Sequence, residues 1–187
     1  LANPGTITHL HYTPEDDGKQ RFKYVFVSLE ASIKGLIYMR KVVVVDGTQL
    51  VGPYKGYLLI ACAQDGNFQI FPIAFGVVDG ETDASWAWFF EKLAEIVPDS
   101  DDLMIVSDRH SSIYKGLSVI YPRAHHGACA VHLERNLSTY YGKFGVSALF
   151  FSAAKAYRVR DFEKYFELVR EKSAKCAKYL EDIGFEH

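Results

Sequence analysis

The stretch "VVVVDGTQL", Val42 to Leu50, runs four valines into an aspartate and a glycine. A segment this apolar and β-branched belongs inside a sheet, yet an unpaired carboxylate is expensive to take out of water. Asp46 therefore needs a neutralising partner, and the strands around it decide which. Two further strand-like segments follow, Tyr57 to Ala63 and Phe68 to Val78. Their links, "VGPYKG" and "QDGN", are short and rich in turn formers, so the three strands should form an antiparallel meander. Upstream, "THLHYTP" and "RFKYVFVSL" read as a hairpin around "EDDGK".

At Asp83 the apolar period changes from two to about 3.6. Trp86, Phe89, Phe90, Leu93, Ile96 and Val97 then mark one face of a helix of about four turns, capped by Thr82 or Asp83 and closed by Pro98. This aromatic stripe reads as core rather than as a base-stacking platform. "LMIVSD" follows, a short apolar strand that again finishes on an aspartate, Asp108. A helix between strands is the crossover that returns a chain parallel to an earlier strand. Next come a helix over Ser111 to Ile120, a short strand around "AHHGACAV", and further helices. Phe162, Phe166 and Val169 set the face of the longest of these, with Asp161 as its cap.

The order β-β-β-α-β-α-β predicts an α/β fold of ribonuclease H-like plan, a mixed five-stranded sheet flanked by helices. The chain divides on this reading into a hairpin and lead-in (1–41), a core (42–135), and the start of a helical insertion (136–187). It begins "LANPGTITHL", without an initiator Met or a signal-peptide pattern, and stops just past a helical segment, so an excised fragment is expected.

With 187 residues, 49% hydrophobic and 14% aromatic, the chain can fill one core. No run approaches the roughly 18 to 20 apolar residues of a membrane span. Cys62, Cys129 and Cys176 are odd in number and lack a CxxC pair, which points to a reducing interior rather than a disulfide framework. The net charge of -2 argues against a stand-alone nucleic-acid grip. Yet residues 1–108 hold 8 Lys/Arg against 15 Asp/Glu, and residues 109–175 hold 12 against 5. That asymmetry suits a carboxylate site beside a phosphate-binding surface, and ordinary solvated charge accounts for it equally well.

If the "VSD" strand lies parallel to and beside the "VVD" strand, Asp46 and Asp108 emerge together at the carboxyl edge of the sheet, where ligands bind in such folds. Two carboxylates held close repel unless a cation separates them. Mg²⁺ suits them, since it takes one or two carboxylates and completes its shell with waters and substrate phosphates. Two ions about 3.5 to 4 Å apart can serve both the attacking and the leaving oxygen of phosphoryl transfer. The plainer reading makes Asp108 a cap for the next helix, Asp65 and Asp79 turn residues, and Glu81 a helix-start residue.

The runs "VVVVDGTQLVGPYKGYLLIACAQDGNFQIFPIAFGVVDGETDASWAWFFEKL", "LMIVSDRHSSI" and "AHHGACAVHLERNL" together resemble the transposase domain of plant Mutator-like elements, over roughly residues 20 to 185. The resemblance implies a ribonuclease H-like core with an Asp-Asp-Glu metal triad. Such a core cuts and joins double-stranded DNA with Mg²⁺ or Mn²⁺, two ions in the complete enzyme, in the nucleus and as a homo-oligomer. Asp46 and Asp108 match the two aspartates. Cys129 and His132 match the family's Cys-x-x-His signature, with His132 a catalytic candidate as phosphate contact or proton shuttle; a purely structural role for the pair stays open. His125, His126, Cys129 and His132 stand too close in sequence to favour a tetrahedral zinc site. The family's glutamate follows a long helical insertion, so neither Glu134 nor Glu163 is assigned as third ligand. Arg109, Lys115, Arg123 and Arg135 are candidate phosphate contacts. The rival expectations are a host-adopted DNA-binding regulator that does not cut, and a nuclease of the same fold that never joins strands.

Overall fold

The computed structural model describes residues 3–16, 18–53, 55–141 and 145–184. Three strands form the meander: β3 (Val42–Gln49), β4 (Tyr57–Gln64) and β5 (Ile70–Val78), each antiparallel to the next. They follow the hairpin of β1 (Ile7–Pro14) and β2 (Gln20–Ser28), the short helix α1 (Glu30–Gly35) and a 3-10 turn at Leu36–Tyr38. The helix α2 (Asp83–Ala94), strand β6 (Met104–Ser107), helix α3 (Ser111–Ile120) and strand β7 (His125–Ala128) come next. The sheet order is β1-β2-β5-β4-β3-β6-β7.

The sheet therefore has seven strands, not the expected five. The hairpin is not a separate lead-in, because β2 pairs antiparallel with β5 through Val25–Val77, Phe26–Gly76 and Val27–Phe75. Its inward residues Tyr24 and Phe26 are buried in the same cluster as the meander valines. Alternation in β2 leaves one face apolar, and the edge of β5 is the place to bury it.

On β3, Val43 and Val45 are 2% and 1% exposed, so they face the core while Val44 and Asp46 face the other side. Against that core lies α2, with Trp86, Phe89, Phe90 and Leu93 all at 0% exposure. At about 1.5 to 3 kcal/mol for each large apolar side chain buried, this stripe anchors the helix. Thr82 is the N-cap: its hydroxyl accepts from the Ser85 N–H and the Ser85 hydroxyl accepts from the Thr82 N–H, a reciprocal box that satisfies two otherwise unpaired donors. The helix has 12 residues, about three turns rather than four. It stops because Ile96 and Val97 both fold back to the Leu93 carbonyl, one through a tighter turn, while their side chains stay in the core.

Helices α2 and α3 touch closely. A Cβ on Gly116 would stand 2.7 Å from Phe90 Cδ2, so glycine is what lets the two backbones approach. At their N-terminal ends, Asp83 accepts hydrogen bonds from Lys115 and Ser112, and these hold its carboxyl below the usual carboxylate range.

The chain forms two compact units, Leu1–His126 and Gly127–His187. The second is helical: α4 (Ala130–Tyr141), α5 (Val146–Ala154), α6 (Val159–Lys172) and α7 (Ala174–Ile183). Leu133, Leu137, Phe150, Phe166, Val169 and Leu180 are among its buried residues. Phe166 and Val169 are buried and Phe162 packs against them, as the helical spacing predicts. Asp161 is not the cap of α6. The helix begins at Val159 with Arg158 at the N-cap, and Asp161 falls in its first turn, where a carboxylate also suits the helix dipole.

Two outcomes follow. Gly116→Ala should destabilise the protein by about 1 to 3 kcal/mol in urea unfolding through overpacking against Phe90, while Gly66→Ala, whose added methyl would meet nothing within 4 Å, should not destabilise it through any clash. Because the Asp83 carboxyl is lowered on folding, its contribution is present above the ordinary carboxylate range and is lost as pH falls through the lowered value. Acid titration of the wild type should thus converge with that of Asp83→Asn below that range and separate from it near neutral pH.

Candidate functional site

Strand β6 pairs parallel with β3 at Val42–Met104, Val43–Ile105 and Val44–Val106. Carrying that register two residues further sets Asp46 opposite Asp108. Asp46 lies within β3 and follows Val44 on the face away from the core, whereas β6 ends at Ser107 and Asp108 is the first residue of the connection to α3. Both are partly buried. Asp46 Oδ1 accepts the Gly47 N–H at 2.9 Å, and Asp108 Oδ1 accepts the His110 N–H at 3.0 Å. Asp108 does not cap α3 with its side chain; His110 occupies the N-cap position, and the aspartate closes a two-residue turn before it. Each carboxylate is oriented through Oδ1, and Oδ2 has no hydrogen-bond partner among the described residues.

The main chain at Asp108 is itself held. Ser107, at 0% exposure, has one hydroxyl proton and gives it to the Asp108 carbonyl at 2.6 Å. Nε2 of His126 lies 2.8 Å from the same Oγ and must therefore be the donor, which fixes its proton on Nε2. The Tyr114 ring meets the His126 ring edge-on with centroids 4.2 Å apart. This chain from α3 and β7 to the Asp108 peptide is not legible in the sequence, where His126 stands only as one of four possible soft ligands. Nothing in the spacing of positions 107 and 126 marks them as neighbours.

Glu81 is also more than a helix-start residue. Its Oε1 accepts the Trp86 indole N–H at 3.2 Å and stands 3.0 Å from where a Cβ on Gly47 would project. By alternation that direction is opposite to the Asp46 side chain, so Glu81 and Asp46 flank the β3 backbone from two sides. Among the described residues, no three of His, Cys, Asp and Glu come together as a metal-holding group.

The remaining candidates scatter. Lys115 is engaged with Asp83 at 2.7 Å, and Arg123 makes a bidentate pair with Asp101 at 3.0 and 2.7 Å. Each shares its charge with a carboxylate, which weakens it as a phosphate contact while leaving further N–H donors. Arg109 is exposed beside Asp108. Cys129, His132 and Arg135 belong to the second unit. There Cys129 precedes α4 and its carbonyl accepts the Leu133 N–H, while His132 Nδ1 is buried with no partner among the described residues. Glu134 bonds Ser138 at 2.6 Å, and its carboxyl is lowered by the Ser138 and Ser147 hydroxyls; Glu163 is exposed on α6. A cavity of about 840 Å³ in this unit is lined mainly by apolar residues such as Leu133, Phe150 and Phe162 and contains none of the candidate residues except Glu163. It is the space between helices rather than a site with convergent polar groups.

Residues 42–136, just over half of the chain and including both aspartates and the Cys129–His132 pair, match the MULE transposase domain family. The chain belongs to that family. A comparison with curated proteins finds no match. Within this MULE transposase domain, the matched span begins at the first residue of β3 and runs into α4.

Ser107→Ala should leave the His126 N–H and the Asp108 carbonyl without their partner, and should cost about 1 to 3 kcal/mol in urea unfolding. Nitrogen-15 spectra of the wild type at neutral pH should show His126 as the Nε2–H tautomer, a signature that Ser107→Ala alters.

Proposed function

We propose that this chain is the core of a Mutator-like DNA transposase of ribonuclease H-like fold, with Asp46 and Asp108 as its metal-holding aspartates. One observation supports the reading: β3 and β6 pair in parallel from Val42–Met104 to Val44–Val106, a register that, carried two residues on, would bring the two carboxylates side by side. The order β5-β4-β3-β6-β7, with the central pair parallel, supports the ribonuclease H-like assignment, with the β1–β2 hairpin as an addition at one edge.

The donor set suits a hard divalent ion. Both carboxylates supply only oxygen, both are oriented through backbone bonds to Oδ1, and both keep a second oxygen to offer. Mg²⁺ or Mn²⁺ would be held by Asp46 and Asp108, two ions in the complete enzyme. When bound, such ions supply charge stabilisation to the attacking and leaving oxygens of a phosphodiester. On this reading Asp46 and Asp108 would share one ion locus, and the bonds of Ser107 to the Asp108 carbonyl and to His126 would hold the Asp108 peptide in place. The reaction class is attack on phosphorus by water, and then by a freed 3′-hydroxyl, each expelling the bridging oxygen of a DNA strand. Double-stranded DNA is the substrate, a homo-oligomer is the working form that paired element ends require, and the nucleus is the compartment.

The test combines two readouts. In the full-length protein with labelled element ends present, Asp46→Asn and Asp108→Asn should each remove Mn²⁺ binding measured by paramagnetic resonance, and each should lower cleavage and strand transfer by at least about 100-fold, the scale on which key electrostatic groups act. Variants that bind Mn²⁺ and join strands at the parent rate would overturn the assignment. Hydrolysis without joining would instead identify a nuclease, and DNA binding without either reaction a regulator.

A further inference from the structure

Some cations of this protein lie near carboxylates, and others, Lys23, Lys172 and Lys175 among them, make no ion pair among the described residues. Lys34, Lys92 and Lys178 each lie near a carboxylate, at 2.7 Å from Glu30, 3.3 Å from Glu95 and 3.7 Å from Asp182, and Lys115 and Arg123 are paired as described. The connection from α5 to α6, sequence Lys155-Ala-Tyr-Arg-Val-Arg160, gathers three unpaired or weakly paired cations within six residues. Among the described residues Arg158 makes no ion pair, Lys155 contacts only the Phe151 ring at 5.6 Å, and Arg160 reaches only the neighbouring Asp161, at 4.0 Å with its own side chain 83% exposed. Between them Tyr157 is 99% exposed and Val159 is 74% exposed.

Lys155 sits well at the carboxyl end of α5, where a cation opposes the helix dipole. Arg158 and Arg160 do not. They occupy the N-cap and second position of α6, where Ser, Thr, Asp or Asn usually accepts the free N–H groups, and they add positive charge to the positive end of the dipole. Folding gains nothing from that placement or from a tyrosine held wholly in water. Both features suit an external polyanion that offers phosphates to the cations and a sugar face to the ring, although Tyr157 and Arg158 also border the cavity that Glu163 and Glu167 line.

We propose that Lys155, Tyr157, Arg158 and Arg160 form a contact for the backbone of duplex DNA. The proposal rests on the DNA-acting reading above and extends it to the helical unit. The contact is to phosphates, so it holds DNA without reading its sequence.

The experiment measures fluorescence anisotropy of a labelled mixed-sequence duplex with the 187-residue chain over a series of KCl concentrations. Lys155→Ala/Arg158→Ala/Arg160→Ala should bind at least about tenfold more weakly at about 0.1 M salt and lower the steepness of log K against log[salt] by up to about 2.7, or about 0.9 for each phosphate no longer neutralised. Tyr157→Ala should weaken binding while leaving that slope unchanged. The control Lys34→Ala/Lys92→Ala/Lys178→Ala removes the same net charge from cations already near carboxylates and should keep the wild-type slope. Equal binding by the first triple variant and the wild type, or an equal weakening in the control, would overturn this contact and leave the transposase reading standing. No binding of duplex by the wild type at low salt would overturn both.

Discussion

The pairing of β3 with β6 is the constraint on which the carboxyl edge depends. It is parallel, so both strands end at the same edge, and its register is set by Val42, Val43 and Val44 against Met104, Ile105 and Val106. A slip of one residue would turn Val43 and Val45 out of the core and Asp46 into it. The burial that fixes the register is thus the same burial that keeps the aspartate on the open face, and stability and site geometry cannot be altered independently here.

What lies around that edge preserves it. α2 is anchored by an aromatic stripe and stopped by the backward turn at Leu93, and α3 approaches it at Gly116 without spreading it away. The Ser107 hydroxyl then ties the end of β6 to β7, through a hydrogen-bond chain whose donor order has only one solution. Cations are restrained in the same way: Lys115 is held by Asp83, and Arg123 by Asp101 at the opposite, amino end of β6. The acidic half seen in the composition is therefore partly spent on internal pairing, and its charge count overstates what is free to meet a ligand.

The meander and the crossover are legible because each rests on local chemistry: period two interrupted by turn formers, then period 3.6, then a short apolar run, although β3 continues past Asp46 to Gln49 and β6 stops before Asp108. The seven-strand sheet is not, since nothing in "RFKYVFVSL" says which edge it joins; that is decided by the long-range match of Tyr24 and Phe26 to the core beside β5. The end of α2 is hidden because Ile96 and Val97 keep the apolar spacing while their backbone leaves the helix. Asp161 has the residue type of a cap, but Val159 and Arg160 enter the helix first. Glu81 and Ser107 are silent for a different reason. Their partners, Trp86 with Gly47, and His126, become neighbours only after the sheet has formed.

A site with two carboxylates has a thermodynamic consequence that a complete cage would not. If Asp46 and Asp108 are the only protein charges offered to a divalent ion, most of its shell remains water until phosphate oxygens arrive. Ion and DNA then complete one another's sites, and linkage requires that each raise the affinity for the other by the same factor. Weak ion binding in the free protein is on this argument a property of the arrangement rather than a defect. On that premise, repulsion between the two carboxylates would be relieved by a bound cation. The positive α5–α6 connection would then supply affinity that does not depend on the ion, keeping backbone grip and phosphoryl transfer energetically separate.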